Sequence, residues 1–163
     1  MKTFKKIVHA KYEIIALKSL YHGTSSEFDT LKPNEYGIIW LTDDLEAAKR
    51  YAQKSYKAKA HRLLTVKLSP AKTIDLRDLK DPLVSDYKRS LELDMGRGTD
   101  YRIPDNEWSQ HAGYFLLEKY GIDSLLENHV DTVIVLDASG AYHHISYAVL
   151  NPSILKITKS EKF

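Results

Sequence analysis

Cysteine is absent from the 163 residues, which excludes disulfides and zinc sites built on thiolates. That absence fits a cytoplasmic protein, and equally a secreted toxin without cross-links. No apolar run approaches the length that crosses a bilayer, so no membrane partner is expected. Neither sign of charge dominates: 24 Lys and Arg against 22 Asp and Glu leave +2. Spread along the chain, that balance permits a nucleic-acid partner without arguing for one. Internal repeats and low-complexity segments are missing too. The start, MKTFKKIVHAKYEII, has the lysines of a signal peptide, but His9, Lys11 and Glu13 break its apolar part. What is present, 43% hydrophobic and 28% charged residues, is the composition of a soluble globular protein, long enough for one domain spanning 1–163.

Hydrophobic patterning places a first strand over 13–21, ending in a His-Gly-Thr turn, and a second over 37–41 (GIIWL). TDDLEAAKRYAQKSY reads as a helix: Thr42 or Asp43 caps it, acids fill its first turn, and bases follow. Leu45, Ala48, Tyr51 and Ala52 then share one side. HRLLTVKL alternates as a strand that Pro70 stops. Residues 71–107 are mixed, with helical pieces around 78–93 and a loop, MGRGTDYRIPDNE. A helix over 108–120 is closed by Gly121. Two apolar runs, DTVIVL and ISYAVL, flank Ser139-Gly140 as an antiparallel hairpin. Strands and helices without a βαβ rhythm indicate an α+β domain. The lysines at 2, 5, 6, 156, 159 and 162 read as solvated ends.

Three separated pieces carry chemistry: Leu20-Tyr21-His22-Gly23-Thr24, the strand–helix piece GIIWLTDDLEAAKRYA, and the late strand SYAVLNPSILKI. In this order they resemble the ADP-ribosyltransferase superfamily, in the branch shared by diphtheria toxin and the poly(ADP-ribose) polymerases. The resemblance covers most of the chain, with no matching motif over roughly 70–107. It implies a split β-sheet core, two packed antiparallel sheets with flanking helices, and NAD as co-substrate. By the same resemblance, His22 bonds a ribose hydroxyl, and Gly23 offers its main chain to the nicotinamide carboxamide, with Thr24 adding a third bond. Trp40 stands where the family has its first tyrosine and Tyr51 matches the second. Two aromatic faces around a flat cation bind it through stacking and cation–π attraction.

The third piece departs from the family: Ser146 falls where the catalytic glutamate belongs. Losing one charged stabiliser costs roughly 3 kcal/mol of barrier, by analogy with removal of a single oxyanion-hole donor. Three explanations stand open. The acceptor brings its own base; a nearby acid stands in, Asp137 first and Glu127 second; or the chain binds NAD without turning it over. The expectation is therefore a mono-ADP-ribosyltransferase acting on a protein, RNA or DNA acceptor. Its size without visible regulatory modules resembles toxin, toxin–antitoxin or antiviral defence effectors, with an antitoxin or regulator as a possible partner. The alternative is a catalytically inactive NAD- or ADP-ribose-binding regulatory module. An NAD-dependent RNA 2′-phosphotransferase ranks below both, since that family opens its motif with Arg-Gly-Thr.

Plainer readings apply to several residues. Trp40 and Tyr51 also suit a core, and Asp137 also suits the start of a hairpin turn. His143 and His144 point to opposite faces of a strand and cannot chelate one ion together, so no metal is expected; His144 shares a face with Ser146 and is a candidate for lining a cleft, but a surface position is the preferred reading. The segment Met95-Gly96-Arg97-Gly98 lacks the remaining residues of a phosphate loop. Arg97 and Arg102 are candidates for touching a pyrophosphate or an acceptor.

Overall fold

The computed structural model describes residues 19–25, 30–54, 61–96, 100–110, 113, 117, 121–137 and 143–163. In chain order these form β1 (Leu20–Thr24), β2 (Ile39–Thr42), α1 (Leu45–Gln53), β3 (Arg62–Leu68), β4 (Thr73–Asp75) and α2 (Pro82–Gly96). There follow α3 (Asp105–Glu107), α4 (Ile122–Glu127), β5 (Thr132–Asp137), β6 (His144–Val149) and β7 (Leu155–Lys162). The fold is mixed α+β, as the patterning implies.

All the strands join in one seven-stranded sheet, ordered β4-β5-β6-β2-β1-β3-β7, antiparallel except for β4 beside β5. Where a pair of packed antiparallel sheets is expected, the described residues form a single mixed sheet. Its continuity is uneven. β2 pairs with β6 from Ile39 to Thr42, and β1 with β3 from Leu20 to Thr24. Between β1 and β2 only Tyr21 opposite Thr42 is in register. The sheet therefore has a narrow seam at its centre, beyond which the two halves separate.

Alternation distributes two cores on the two faces. Val133, Val135 and Ala148 point to a cluster with Val84, Leu91, Trp108, Leu117 and Leu125 from the helical segments. Ile134, Tyr147 and Val149 point the other way, with Leu20, Leu41, Leu64 and Val66. Trp108 is fully buried and its Nε1 donates to the Leu76 carbonyl at 2.8 Å.

Local chemistry explains where the elements begin. Before β2, Asn34 Oδ1 accepts from the N–H groups of Tyr36 and Ile38, and Gly37 takes φ +82°, a left-handed conformation that suits glycine. The cap of α1 is Asp44, not Thr42 or Asp43: its Oδ1 accepts from Ala47 N–H at 2.9 Å. Thr42 lies two residues before the cap, its Oγ1 accepting from Asp44 N–H and donating to the Ile145 carbonyl. The helix buries Ala48 and Ala52 as expected, with Tyr51 half-buried, but Leu45 is exposed and Ala47 is buried in its stead.

Three expectations change. His-Gly-Thr lies within β1 rather than in a turn after it, since each of its residues pairs with β3. Gly23 is there because α1 crosses that spot: a Cβ would overlap the Ala48 carbonyl and lie 2.9 Å from Ala52 N. The C-terminal lysines belong to an edge strand, β7, paired along β3. The expected strand over 13–18, the end of the α1 pattern past 54, and Ser139-Gly140 lie outside the described residues.

Gly23→Ala is therefore expected to cost stability, since the clash is with helix backbone that cannot rotate away. A loss of about 2 kcal/mol or more, in the range of overpacked cores, should appear in urea denaturation. An unchanged midpoint would show that α1 yields without cost.

Candidate functional site

The site forms at the seam. Where β1 and β2 diverge, a cavity of about 150 Å³ opens, lined by His22, Gly23, Trp40, Tyr51, Asp137 and Ser146 together with Tyr21, Leu41, Thr42 and Ala48. A space of that size holds one benzene-sized ring. Four elements and the C-terminal end of β5 build it: β1 and β2 from the seam, β6 beside β2, and α1 across the β1 half.

His22 bridges the divergence. Its Nδ1 lies 2.8 Å from the Trp40 carbonyl oxygen. That oxygen can only accept, so Nδ1 carries the proton and Nε2 is left with a lone pair. Burial lowers the imidazole pKa below its ordinary 6.5, an effect that the hydrogen bond to Trp40 opposes but does not overcome. At neutral pH the ring is uncharged and in a fixed tautomer, an acceptor at the cavity.

Across the cavity stands a carboxylate cluster. Tyr51 Oη donates to Asp137 Oδ2 at 2.8 Å, and Ser146 Oγ makes a long 3.5 Å contact with the same oxygen. The Nε2 of His144 lies 3.6 Å from it, an ion-pair distance rather than a hydrogen bond. The hairpin register accounts for this gathering. Ser146 pairs with Val135, and Asp137 pairs with His144, so Asp137, Ser146 and His144 share one face. Tyr51 descends onto that face from α1, with Lys54 Nζ 4.1 Å from its ring centroid.

Of the residues singled out in the sequence, the fold brings together His22, Gly23, Trp40, Tyr51, Asp137 and Ser146. Thr24 is not with them: it ends β1, opposite Arg62, outside the cavity lining. Glu127 is exposed at the end of α4 and also stands apart. Arg102 is exposed, pairing with Glu92 and Asp100 away from the cavity. Arg97 lies outside the described residues. His144 is corrected from surface to interior, being 6% exposed, whereas His143 is exposed. Among the described residues no group of three or more His, Asp or Glu is arranged to hold a metal ion.

Sequence reasoning missed Tyr21 and Thr42 at the site, and for His144 it noted the face shared with Ser146 but preferred a surface position and did not pair it with Asp137. The available signal was the hairpin itself: extending each apolar run by one polar residue sets Asp137 opposite His144.

No family model and no curated protein matches the chain. Among solved structures, it is similar to a chain of the M. tuberculosis MbcT–MbcA toxin–antitoxin complex, at 16% identity and a TM-score of 0.50, over 90% of this chain and 84% of that one. It also aligns with an anti-CRISPR protein at 14% identity and a TM-score of 0.44, over 89% of this chain and 94% of that one. At such identity the first likeness is one of fold.

The lowered pKa of His22 makes a pH prediction. Between its folded value and 6.5 the unfolded chain binds more protons, so this contribution to stability is present above 6.5 and is lost as pH falls below it. The urea midpoint should drop on going from pH 7.5 towards 5, and His22→Gln should flatten part of that drop. An unaltered pH profile in the variant would mean that the ring is protonated as readily in the folded protein.

Proposed function

We propose that the chain is a mono-ADP-ribosyltransferase, passing ADP-ribose from NAD⁺ to a macromolecular acceptor. The observation that carries this reading is the one-ring cavity at the seam, with a neutral acceptor imidazole on one side and a carboxylate on the other. The nicotinamide end of NAD⁺ is a single flat cationic ring bearing an amide, and the cavity is of that size. Bound there, NAD⁺ supplies an activated glycosidic bond whose leaving group is neutral nicotinamide.

The chain's own residues divide the work. His22 Nε2 is placed to accept from a ribose hydroxyl, which orients the sugar without adding positive charge near an electron-poor centre. Gly23 keeps β1 and α1 close and offers main-chain groups to the carboxamide. Trp40 and Tyr51 give aromatic faces to a cationic ring. Asp137 supplies the negative charge absent at Ser146: it comes from β5, one strand over, and reaches the same face. A serine at 146, shorter than a glutamate, leaves room for that carboxylate. The pocket thus keeps an acid while moving it to the neighbouring strand, the seam standing in for the split core of the family that the motifs resemble. The likeness in fold to a chain from a toxin–antitoxin complex supports a toxin-type effector, and an antitoxin among its partners.

Ser146 also favours a second reading, a module that binds NAD or ADP-ribose without turnover. Nicotinamide release from NAD⁺ in the presence of cell extract separates the two. Under the transferase reading, Asp137→Asn should lower that release about a hundredfold, the scale of losing one transition-state partner worth about 3 kcal/mol, while NAD⁺ still binds. Full release by Asp137→Asn would retire the carboxylate, and NAD⁺ binding with no release in the wild type would favour the binding module. Tyr51→Ala should weaken NAD⁺ by about fivefold, near 1 kcal/mol, as measured by calorimetry. Equal affinity would remove Tyr51 from the ligand's surface.

A further inference from the structure

His144 is a buried imidazole beside the site that the scheme above leaves unused. Its side chain is 3% exposed, and among the described residues neither ring nitrogen makes a hydrogen bond. Burying two unmatched polar atoms is costly, and the same face carries Val133, Val135 and Ala148 where nothing polar is needed. An apolar side chain at 144 would hold the hairpin better. What the imidazole has instead is a position: directly opposite Asp137 in the ladder, Nε2 3.6 Å from Oδ2, its ring edge-on to Tyr51 with centroids 5.9 Å apart at 67°. It is not part of the cavity lining, so it reaches the reacting groups through Asp137. Hydrogen bonds that are long in a free site commonly tighten once substrate is bound.

We propose that Asp137 and His144 act as a proton-accepting pair, and that the acceptor is a neutral nucleophile arriving with its proton, an alcohol, amide or ring N–H, rather than a carboxylate. This rests on the transferase reading. A lone carboxylate has nowhere to pass the proton of such a group, whereas an imidazole nitrogen 3.6 Å behind it, without a hydrogen-bond partner among the described residues, gives the proton a place to go. A carboxylate acceptor would need no base and would be repelled by the charge on Asp137. In the step, the acceptor's X–H bond breaks and its proton passes to the Asp137 carboxylate and on to His144 Nε2. The freed electron pair bonds to the ribose C1′, and the pair of the C1′–N bond leaves with nicotinamide, which departs neutral. His144 touches no substrate; it is a positioning residue that also takes up the proton.

The test uses His144→Leu and His144→Gln in the full chain. Leu fills the space without polar atoms, and Gln gives Asp137 an amide donor that cannot take up a proton. Both should fold, with His144→Leu melting several degrees higher. Both should bind NAD⁺ within twofold of wild type yet release nicotinamide at least tenfold more slowly, a change in kcat without one in KM. Release within twofold of wild type by either variant overturns the pair. Radiolabel transferred from NAD⁺ to extract should survive neutral hydroxylamine, and its loss would identify a carboxylate ester and overturn the assigned acceptor chemistry. A double-mutant cycle of urea stability for Asp137→Asn and His144→Leu reads the pair without NAD⁺. Additive effects overturn it; coupling in a wild type that releases no nicotinamide overturns the transferase reading and leaves the pair standing.

Discussion

The site depends on a gap that the sheet cannot close. β1 and β2 meet at Tyr21 and Thr42 and then part, with no further pair in register between them. Collapse would be the ordinary remedy, but each strand is held by its own half. β2 is locked to β6 over its whole length, and Thr42 ties it both to the Ile145 carbonyl and to the start of α1. β1 is fixed to β3 over its whole length, and α1 lies so close above Gly23 that no side chain fits between them. His22 then reaches across to the Trp40 carbonyl, and in doing so spends the one proton it carries. The same bond that spans the divergence sets the tautomer at the cavity.

From that arrangement follows an electrostatic asymmetry. One side of the cavity offers an uncharged acceptor, kept so by burial. The other carries a carboxylate that receives Tyr51 Oη and lies within reach of Ser146 and His144. Aromatic faces from β2 and α1 complete the lining. A flat, positively charged ring satisfies each wall at once. An anionic ligand would face the carboxylate of Asp137 in the lining.

How much of this was legible depends on whether a residue's neighbours in sequence are also its neighbours in space. His22, Gly23, Trp40 and Tyr51 were readable because a strand ending and a strand-to-helix passage have short-range signatures. The exact cap was not, since Thr42, Asp43 and Asp44 are all good caps and only geometry selects Asp44. Gly23 was singled out because glycine suits a main chain approached by a ligand; the approach that the structure shows there is that of a helix. β4 has only three residues, too few to show a period. In β7 one face is solvent and the strand sits at an edge, so its polar residues resemble a tail. Asp137 and His144 look like turn residues because each ends an apolar run; the ladder that pairs them is visible only once the register is known.

That register also shows where the core stops being a core. Along one face of β5, Val133 and Val135 give way to Asp137; along the same face of β6, Ala148 gives way to Ser146 and His144. The period of two continues without a break, so the polar residues occupy positions that alternation assigns to the interior, and all three are buried. Each such substitution costs free energy that an aliphatic residue would not, because buried polar atoms lose water and must find partners. A sheet needing only to be stable has no use for four polar side chains, Thr42 included, at the end of an otherwise apolar face. Positions where local preference and global packing disagree are those where a fold gives up stability for something else. Here Thr42, Asp137 and Ser146 line one cavity and His144 stands behind Asp137, at the point where the sheet itself comes apart.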